Sequence, residues 1–369
     1  MFLSAFSGLS SGDRRTILGY AALIFGIYAL VILWAATDEF RVRTDSDAHH
    51  SLRMSPTDVE PGLTPADPLP EGGDYTSVRI GTYIEDIDNL SIKDSYWSTT
   101  FYIWYHWKGD SKLDPGSKMI LVDGAINKKE LLEDYHGPDG ENYQRFRISA
   151  KVIKYFDTAR VPIEDHMLNI YIEDGARDGT KLRFAADDTS NISSRLRIPG
   201  FKITAKSNVV KNHTYRSSYG DPRTSSNQWR TFSQYVAAVQ IKRTDFGFYL
   251  KIFLSLFMAS LVTLASFFIK ASDVGPRFSL PTAAFFGAVA NTYLANSLLP
   301  SSGSFGLIDQ IAGLGLFTIF TSIAMAIVSN YYTRKKQEDV SVALDRVMFL
   351  VTGVMYLAGN IIVPWCARS

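Results

Sequence analysis

Two groups of residues have types and spacings that suggest chemistry. Glu173, Asp174 and Asp178 bring three carboxylates into one short stretch, which can hold a cation, sense protons, or simply form a solvated loop. Ser279, Ala283, Phe286, Ala290, Tyr293 and Ser297 recur every three or four residues, so on a helix they form one stripe. Small and hydroxyl-bearing residues along a stripe suit a water-filled lumen, and an apolar ring among them can gate by dewetting. Close packing between helices enriches the same small residues, so composition alone leaves both uses open. If the stripe lines a lumen, Phe286, at mid-helix, is the candidate hydrophobic gate, with Tyr293 a second constriction.

Catalytic patterns are missing. The chain has no Gly-x-Ser-x-Gly elbow, no phosphate-cradling glycine loop and no His-Glu-x-x-His, so an enzyme is not expected, nor any cofactor. The single cysteine, Cys366, excludes an intramolecular disulfide and any multi-cysteine metal site. Of the six histidines only His49 and His50 adjoin, in a polar stretch that reads as solvated; no metal site is expected. Lys and Arg number 38 against 37 Asp and Glu, a balance unlike that of a nucleic-acid binder.

That balance conceals an uneven distribution. Segments 17–36, 248–269, 280–299, 307–332 and 347–364 are apolar enough, at about 20 residues each, to cross a bilayer. Between residues 246 and 332 the only charges are Lys251, Lys270, Asp273, Arg277 and Asp309, so the chain reads as an integral membrane protein. Residues 1–36 read as an uncleaved signal anchor or a signal peptide. Arg14-Arg15, Lys270 with Arg277, and Arg334-Lys335-Lys336 mark cytoplasmic connections by the positive-inside rule, leaving the large domain outside a plasma or inner membrane. Residues 37–75, with Pro56, Pro61, Pro65, Pro68 and Pro70, read as a disordered proline-rich linker, a passive tether.

Residues 76–244 read as strands of period two. Val78, Ile80, Thr82 and Ile84 alternate with polar neighbours, as do Phe101, Ile103, Tyr105 and Trp107 with Tyr102, Trp104 and His106. Further runs are Phe146 to Val152, Leu168 to Ile172, Leu196-Ile198 and Tyr235 to Ile241. The expected fold is an all-β, immunoglobulin-like sandwich followed by an all-α four-helix transmembrane bundle (residues 245–369), with the N-terminal segment as an extra helix.

In this order of parts the chain resembles the pentameric ligand-gated ion channels, the Cys-loop receptor superfamily, and within it the cysteine-free prokaryotic branch. Val161-Pro162-Ile163-Glu164-Asp165-His166-Met167-Leu168 stands where that family has its Phe-Pro-Phe-Asp loop, Leu168 replacing the second loop cysteine. Phe101 to Trp107 resembles its second strand, Lys242-Arg243 before Phe248-Tyr249-Leu250 the start of its first membrane helix, and Leu298-Leu299-Pro300 before Leu307-Ile308-Asp309 the end of its pore helix. The resemblance implies a homopentamer in membrane lipid, passing inorganic ions through a pore lined by the stripe and gated by a small-molecule ligand or proton. It further implies a coupling junction at Asp94, Glu164, Asp165, Arg243 and Pro300. For the ligand it points to Tyr215 and Tyr219 on a hairpin between Lys211 and Trp229, and to Tyr102 and Trp104 on the face offered to a neighbouring subunit; Glu173 with Asp174 are candidates on their own charge instead, for a cation or a proton.

Several positions depart from the family pattern. Residues 108–142 contain no tryptophan, and Tyr171-Ile172-Glu173-Asp174-Gly175 lacks the family's aromatic at its end, so an aromatic cage for an amine is in doubt. No glutamate precedes the pore helix, and Pro276-Arg277 only loosely matches the anion-selective Pro-Ala-Arg, which leaves ion sign open. Pro281 either opens the helix near Ser279 or interrupts one that starts earlier. A non-conducting receptor or adhesion protein on the same scaffold is the alternative.

Overall fold

The computed structural model describes residues 9–60, 62–220, 229–300 and 305–368. The chain forms two compact units: a helical unit of Met1–Thr44, Thr158–Glu164 and Asp245–Ser369, and a β unit of Asp45–Asp157 and Asp165–Thr244.

The β unit is built from the alternation seen in the sequence. Strands β1 (Thr76–Ser91), β2 (Tyr96–Lys108), β3 (Met119–Leu121), β4 (Gly124–His136), β5 (Glu141–Ile153), β6 (Asp165–Asp174), β7 (Leu182–Ala186), β8 (Asn191–Ile192), β9 (Phe201–Tyr215) and β10 (Arg230–Arg243) make two sheets. One runs β4-β5-β2-β1-β7 with β8 added beside β1; the other runs β3-β6-β10-β9. Their inner faces meet in one core in which Val78, Ile80, Phe101, Ile103, Tyr105, Ile148, Leu168, Ile170, Tyr235 and Val239 are buried. β-Branched and aromatic side chains at alternate positions give each strand one apolar face, and the sandwich removes both faces from water. Leu196 and Ile198 are buried as expected, but in a turn region joined only by the single bridge Ile198–Phe201, because Pro199 and Gly200 interrupt a ladder there.

The second sheet departs from a half-solvated strand pattern. Along β6 and β10 the outward residues Met167, Asn169, Glu173, Gln234, Val236 and Ala238 are buried too. Their cover is the segment expected to be a free linker. His50 Nδ1 lies 2.9 Å from Asp165 and 3.3 Å from Gln240. Lys211 donates to the carbonyls of Leu52 and Asp58 at 2.9 and 3.0 Å, and Tyr171 donates to Glu60 at 2.7 Å. The expectation of a disordered tether over residues 37–75, with His50 solvated, is therefore corrected: the proline-rich stretch is docked.

The start of that stretch is helical. Helix α1 (Ser11–Met54) runs 18 residues past the apolar segment that ends at Ala36. From Thr37 to Met54 the chain has neither proline nor glycine, and oppositely charged residues stand four apart at Glu39 and Arg43 and at Arg41 and Asp45. Such spacing supports a helix in water, and Pro56 then disfavours its continuation.

The helical unit contains α1 up to Thr44, α2 (Phe246–Ala265, extended by a 3₁₀ turn to Phe268), α3 (Val274–Ser297), α4 (Leu307–Arg334) and α5 (Glu338–Ala367). α1, α2 with its extension, α4 and α5 are long and apolar enough to cross a membrane; α3 matches them in length but is less apolar. α1 buries Ile17, Ala21, Ile24, Tyr28, Ile32 and Ala35, one stripe at three- and four-residue steps, and Tyr28 donates to Thr318 of α4 at 2.8 Å. Pro281 lies inside α3, so the helix starts before it, at Val274.

Candidate pore face and ligand cavity

α3 has two opposed faces. Arg277, Pro281, Ala284, Ala288, Asn291 and Ala295 are buried, again at steps of three and four, so this stripe faces the other helices. At 100° per residue, the stripe Ser279, Ala283, Phe286, Ala290, Tyr293 and Ser297 lies about half a turn away. All six of its residues are exposed, Phe286 at 67% and Tyr293 at 80%. One reason the packed face is fixed is polar: the Ser255 hydroxyl of α2 donates to the Asn291 side-chain oxygen. Sequence reading did not single out Asn291.

Arg277 belongs to the packed face. Its Nη1 donates to Asp345 of α5 and to the Ile269 carbonyl, both at 2.8 Å, while its Nη2 takes the other carboxylate oxygen. Ser329 of α4 donates to the same carboxylate at 2.9 Å. The guanidinium is fully buried, so its charge is spent within the bundle and does not extend along the exposed stripe. Asp345 lies 68 residues away in sequence, which hid the pair.

The candidate ligand residues fall into two groups within the β unit. Tyr102 and Trp104 line a cavity of about 790 Å³ on the outer face of the first sheet, together with Tyr83, Tyr143, Glu141 and Asp187. Gly81 pairs with Trp104 across β1 and β2, and a Cβ there would sit 2.4 Å from the indole ring. Only glycine lets the indole lie against the strand. The indole Nε1 donates to Asp187 at 3.1 Å, fixing the ring as a wall. Burial alone would raise the Asp187 pKa, but hydrogen bonds from Thr189 and Trp104 outweigh it and hold the carboxylate below its ordinary range. The cavity is also lined by Arg145 and His106, and His106 pairs with Glu141 at 2.7 Å, so its charge is mixed and its aromatic faces are what it offers a small ligand. Gly81 and Asp187 were missed because both are silent in the sequence without the strand register.

Glu173, Tyr215 and Tyr219 form the second group. The Tyr215 hydroxyl donates to Glu173 at 2.9 Å, Gln234 donates to its other oxygen at 2.7 Å, and the Tyr215 and Tyr219 rings lie 6.3 Å apart. Burial raises the Glu173 pKa. Asp174 is not part of this group. Neighbours on a strand point to opposite faces, so its side chain turns away, caps Ala176 and Arg177 and pairs with the Arg177 guanidinium at 2.7 Å. Asp178 accepts from Thr180 and Arg230. The expected three-carboxylate cluster is thus corrected to three separately partnered groups, because adjacency in sequence is not adjacency across a strand. The hairpin tip, residues 221–228, lies outside the described residues.

The junction residues are placed as follows. Asp94 accepts from Ser91 at 2.6 Å in the exposed turn between β1 and β2. Arg243 lies over the Phe201 ring at 4.2 Å, and Asp165 meets His50 and Gln240 in the β unit. Glu164 is buried and falls in the helical unit. Pro300 is half-buried, and residues 301–304 beyond it lie outside the described residues. Loop 158–164 is tied into the helical unit: the Leu307 N–H donates to the Ala159 carbonyl at 2.7 Å, and Arg160 donates to the Ala367 carbonyl at 3.3 Å. Gly306 permits this approach, since a Cβ there would stand 2.4 Å from the Ala159 oxygen. Gly306→Ala should destabilise the helical unit by about 1–3 kcal/mol, because the obstacle is backbone and cannot rotate aside. Unchanged thermal melting of the purified variant would count against this fit.

One buried base makes the β unit acid-sensitive. His166 packs edge-on against Phe156, with ring centroids 5.0 Å apart. Burial, then the positive charge of Lys154, pushes its pKa down to about 3. Between about 3 and 6.5 the unfolded chain binds a proton that the folded state does not, so stability falls as pH drops through this range. The slope should approach about 1.4 kcal/mol per pH unit. His166→Phe should flatten it, as read from denaturation midpoints at several pH values.

No family model matches the chain. It is 21% identical over 290 residues to the human gamma-aminobutyric acid receptor subunit rho-3, covering 71% of this chain and 59% of that one. It is 20% identical over 303 residues to subunit rho-1 of Mus musculus, covering 73% of this chain and 61% of that one. The chain thus spans about 60% of the length of these curated relatives. They are receptor subunits, not enzymes, and as distant homologues they support the superfamily resemblance carried by the sequence motifs. With helices of membrane-crossing length, the chain is a multi-pass membrane protein.

Proposed function

We propose that this distant member of the pentameric ligand-gated ion channel superfamily is itself a channel subunit, assembling as a homopentamer around α3. The observation that carries the reading is the two-faced α3. Its packed stripe binds the helical unit, and its opposite stripe of Ser279, Ala283, Phe286, Ala290, Tyr293 and Ser297 is exposed and of mixed polarity. A helix that faces lipid has no use for such a stripe, whereas a lumen does.

The ligand is proposed to act on the β unit. In a ring of copies, the Tyr102–Trp104 cavity of one subunit would approach the Glu173–Tyr215–Tyr219 group of the next. Asp94, Glu164, Asp165, Arg243 and Pro300 would pass the signal to the pore. Arg277, sealed against Asp345, is not assigned a part in choosing the sign of the permeant ion. The large domain is placed outside a plasma or inner membrane by the flanking charges.

Purified protein in liposomes, assayed for ion flux over pH and a library of small amines and amino acids including gamma-aminobutyric acid, tests the reading. Gated flux is expected. Vesicles that stay sealed under every condition would favour a non-conducting receptor on the same scaffold.

A further inference from the structure

We propose that residues 50–60 and 62–70 form a resident strap, an intramolecular restraint that lies on the outer face of the second sheet, holds β9 in the stem of the β9–β10 hairpin and sets how readily that hairpin moves. The regulatory meaning rests on the ligand-site reading above; the restraint itself does not.

The contacts follow the strand from base to tip. Ser207 of β9 donates to the Met54 carbonyl at 3.3 Å, and Lys211 donates to the Leu52 and Asp58 carbonyls. The Asp67 N–H donates to Thr214 Oγ1 at 2.7 Å. Arg216, just past β9, donates to the Pro65 carbonyl at 3.3 Å and to Asp67 at 3.2 Å. Neighbouring elements hold the rest: Tyr171 of β6 bonds Glu60, and Arg183 of β7 donates to the Pro70 carbonyl at 2.8 Å. Gly179 makes room for Leu69, since a Cβ there would fall 2.6 Å from the leucine side chain.

Strap chemistry explains the pattern. Leu52 and Met54 offer the unpaired carbonyls of the last turn of α1, and beyond it the prolines remove N–H donors and disfavour helix, which leaves further carbonyls to accept from side chains of the sheet. Five strap carbonyls, those of Leu52, Met54, Asp58, Pro65 and Pro70, do accept from Ser207, Lys211, Arg216 or Arg183. A spacer needs none of these bonds. The covered face is that of Glu173 and Tyr215, so the restraint bears on the same hairpin stem that carries the candidate ligand residues. The contacts are side-chain bonds and ion pairs made outside the core between the two sheets, so the strap can open as a local unit while that core stays folded.

Hydrogen exchange on the full-length protein in detergent or nanodiscs tests this directly. Lys211→Met combined with Arg216→Ala is expected to speed amide exchange in β9 and the start of β10 about tenfold, with β1, β2 and β5 unchanged. Unchanged exchange in β9, or an equal rise in every strand, would overturn the proposal. A second variant works in the opposite sense: Asp67→Cys with Thr214→Cys, in a Cys366→Ser background, should form a disulfide that slows exchange in β9 and is reversed by reductant. A formed cross-link without slowing would also overturn it. Exchange is read whether or not the protein conducts, so failure of the strap and failure of the channel reading are separable. If the protein conducts, the cross-link should also reduce ligand-evoked flux until it is reduced.

Discussion

Asp345→Ala is expected to cost the helical unit about 3–5 kcal/mol, the penalty of leaving a buried charge without its partner. Arg277 has no route to water in the folded state. Its side chain is enclosed by α3, α4 and α5, with Asp345 supplying both carboxylate oxygens and Ile269 one carbonyl. With the carboxylate gone, the Ile269 carbonyl is the remaining hydrogen-bond partner shown for a full positive charge. The pair as a whole need not be strongly stabilising, because taking both ions out of water costs much of what their attraction returns. That asymmetry gives the test its control. Arg277→Met with Asp345→Leu, which removes both charges at similar volume, should recover most of the loss. Thermal melting of the purified protein, read for Arg277→Met, Asp345→Leu and the double, gives a coupling energy. Additive losses, or an Asp345→Ala variant that melts like the parent, would show that the bond does not carry the packing of α3. The pair also bears on function, because it is what points the one basic residue of α3 away from the exposed stripe.

How much of this was legible in advance depended on the range of the interaction. The β2 alternation put Phe101, Ile103, Tyr105 and Trp107 inside, and they are inside, because period two is set by the strand itself. The α3 stripe was legible for the same reason: a helix fixes which residues share a face. What failed depended on partners far away. Composition shows that residues 55–70 must be extended, but not that Lys211, Tyr171 and Arg216 wait to bind them, more than 100 positions on. Likewise Arg277 could be read as charged and near a helix start, while its burial depended on Asp345. Glu173 and Asp174 show the opposite error, a cluster in sequence that the strand splits between two faces. The helical continuation to Met54 was missed because the prolines, which begin only at Pro56, set the reading for the whole of residues 37–75.

Phe286→Ala should raise the resting ion leak of reconstituted vesicles by about tenfold or more while leaving thermal stability nearly unchanged. Phe286 contributes little to the packing of its own chain, being 67% exposed, with the Phe285 ring centroid 5.9 Å from its own. Removing the ring therefore deletes little from the fold. If α3 rings a lumen, however, five such rings meet at mid-helix, and an apolar constriction of that kind excludes water and so ions. Replacing them with methyl groups widens the ring and lets water persist; Phe286→Ser should act more strongly, because the hydroxyl wets the constriction as well. Phe285→Ala is the control, since Phe285 lies off the stripe and its loss should leave the leak alone. Equal leak in all three variants and the parent, with unaltered ligand response, would place Phe286 against lipid or against a neighbouring helix. A leak that rises for Phe286 and not for Phe285, which is also exposed, separates the stripe from the rest of the exposed surface of α3 by function.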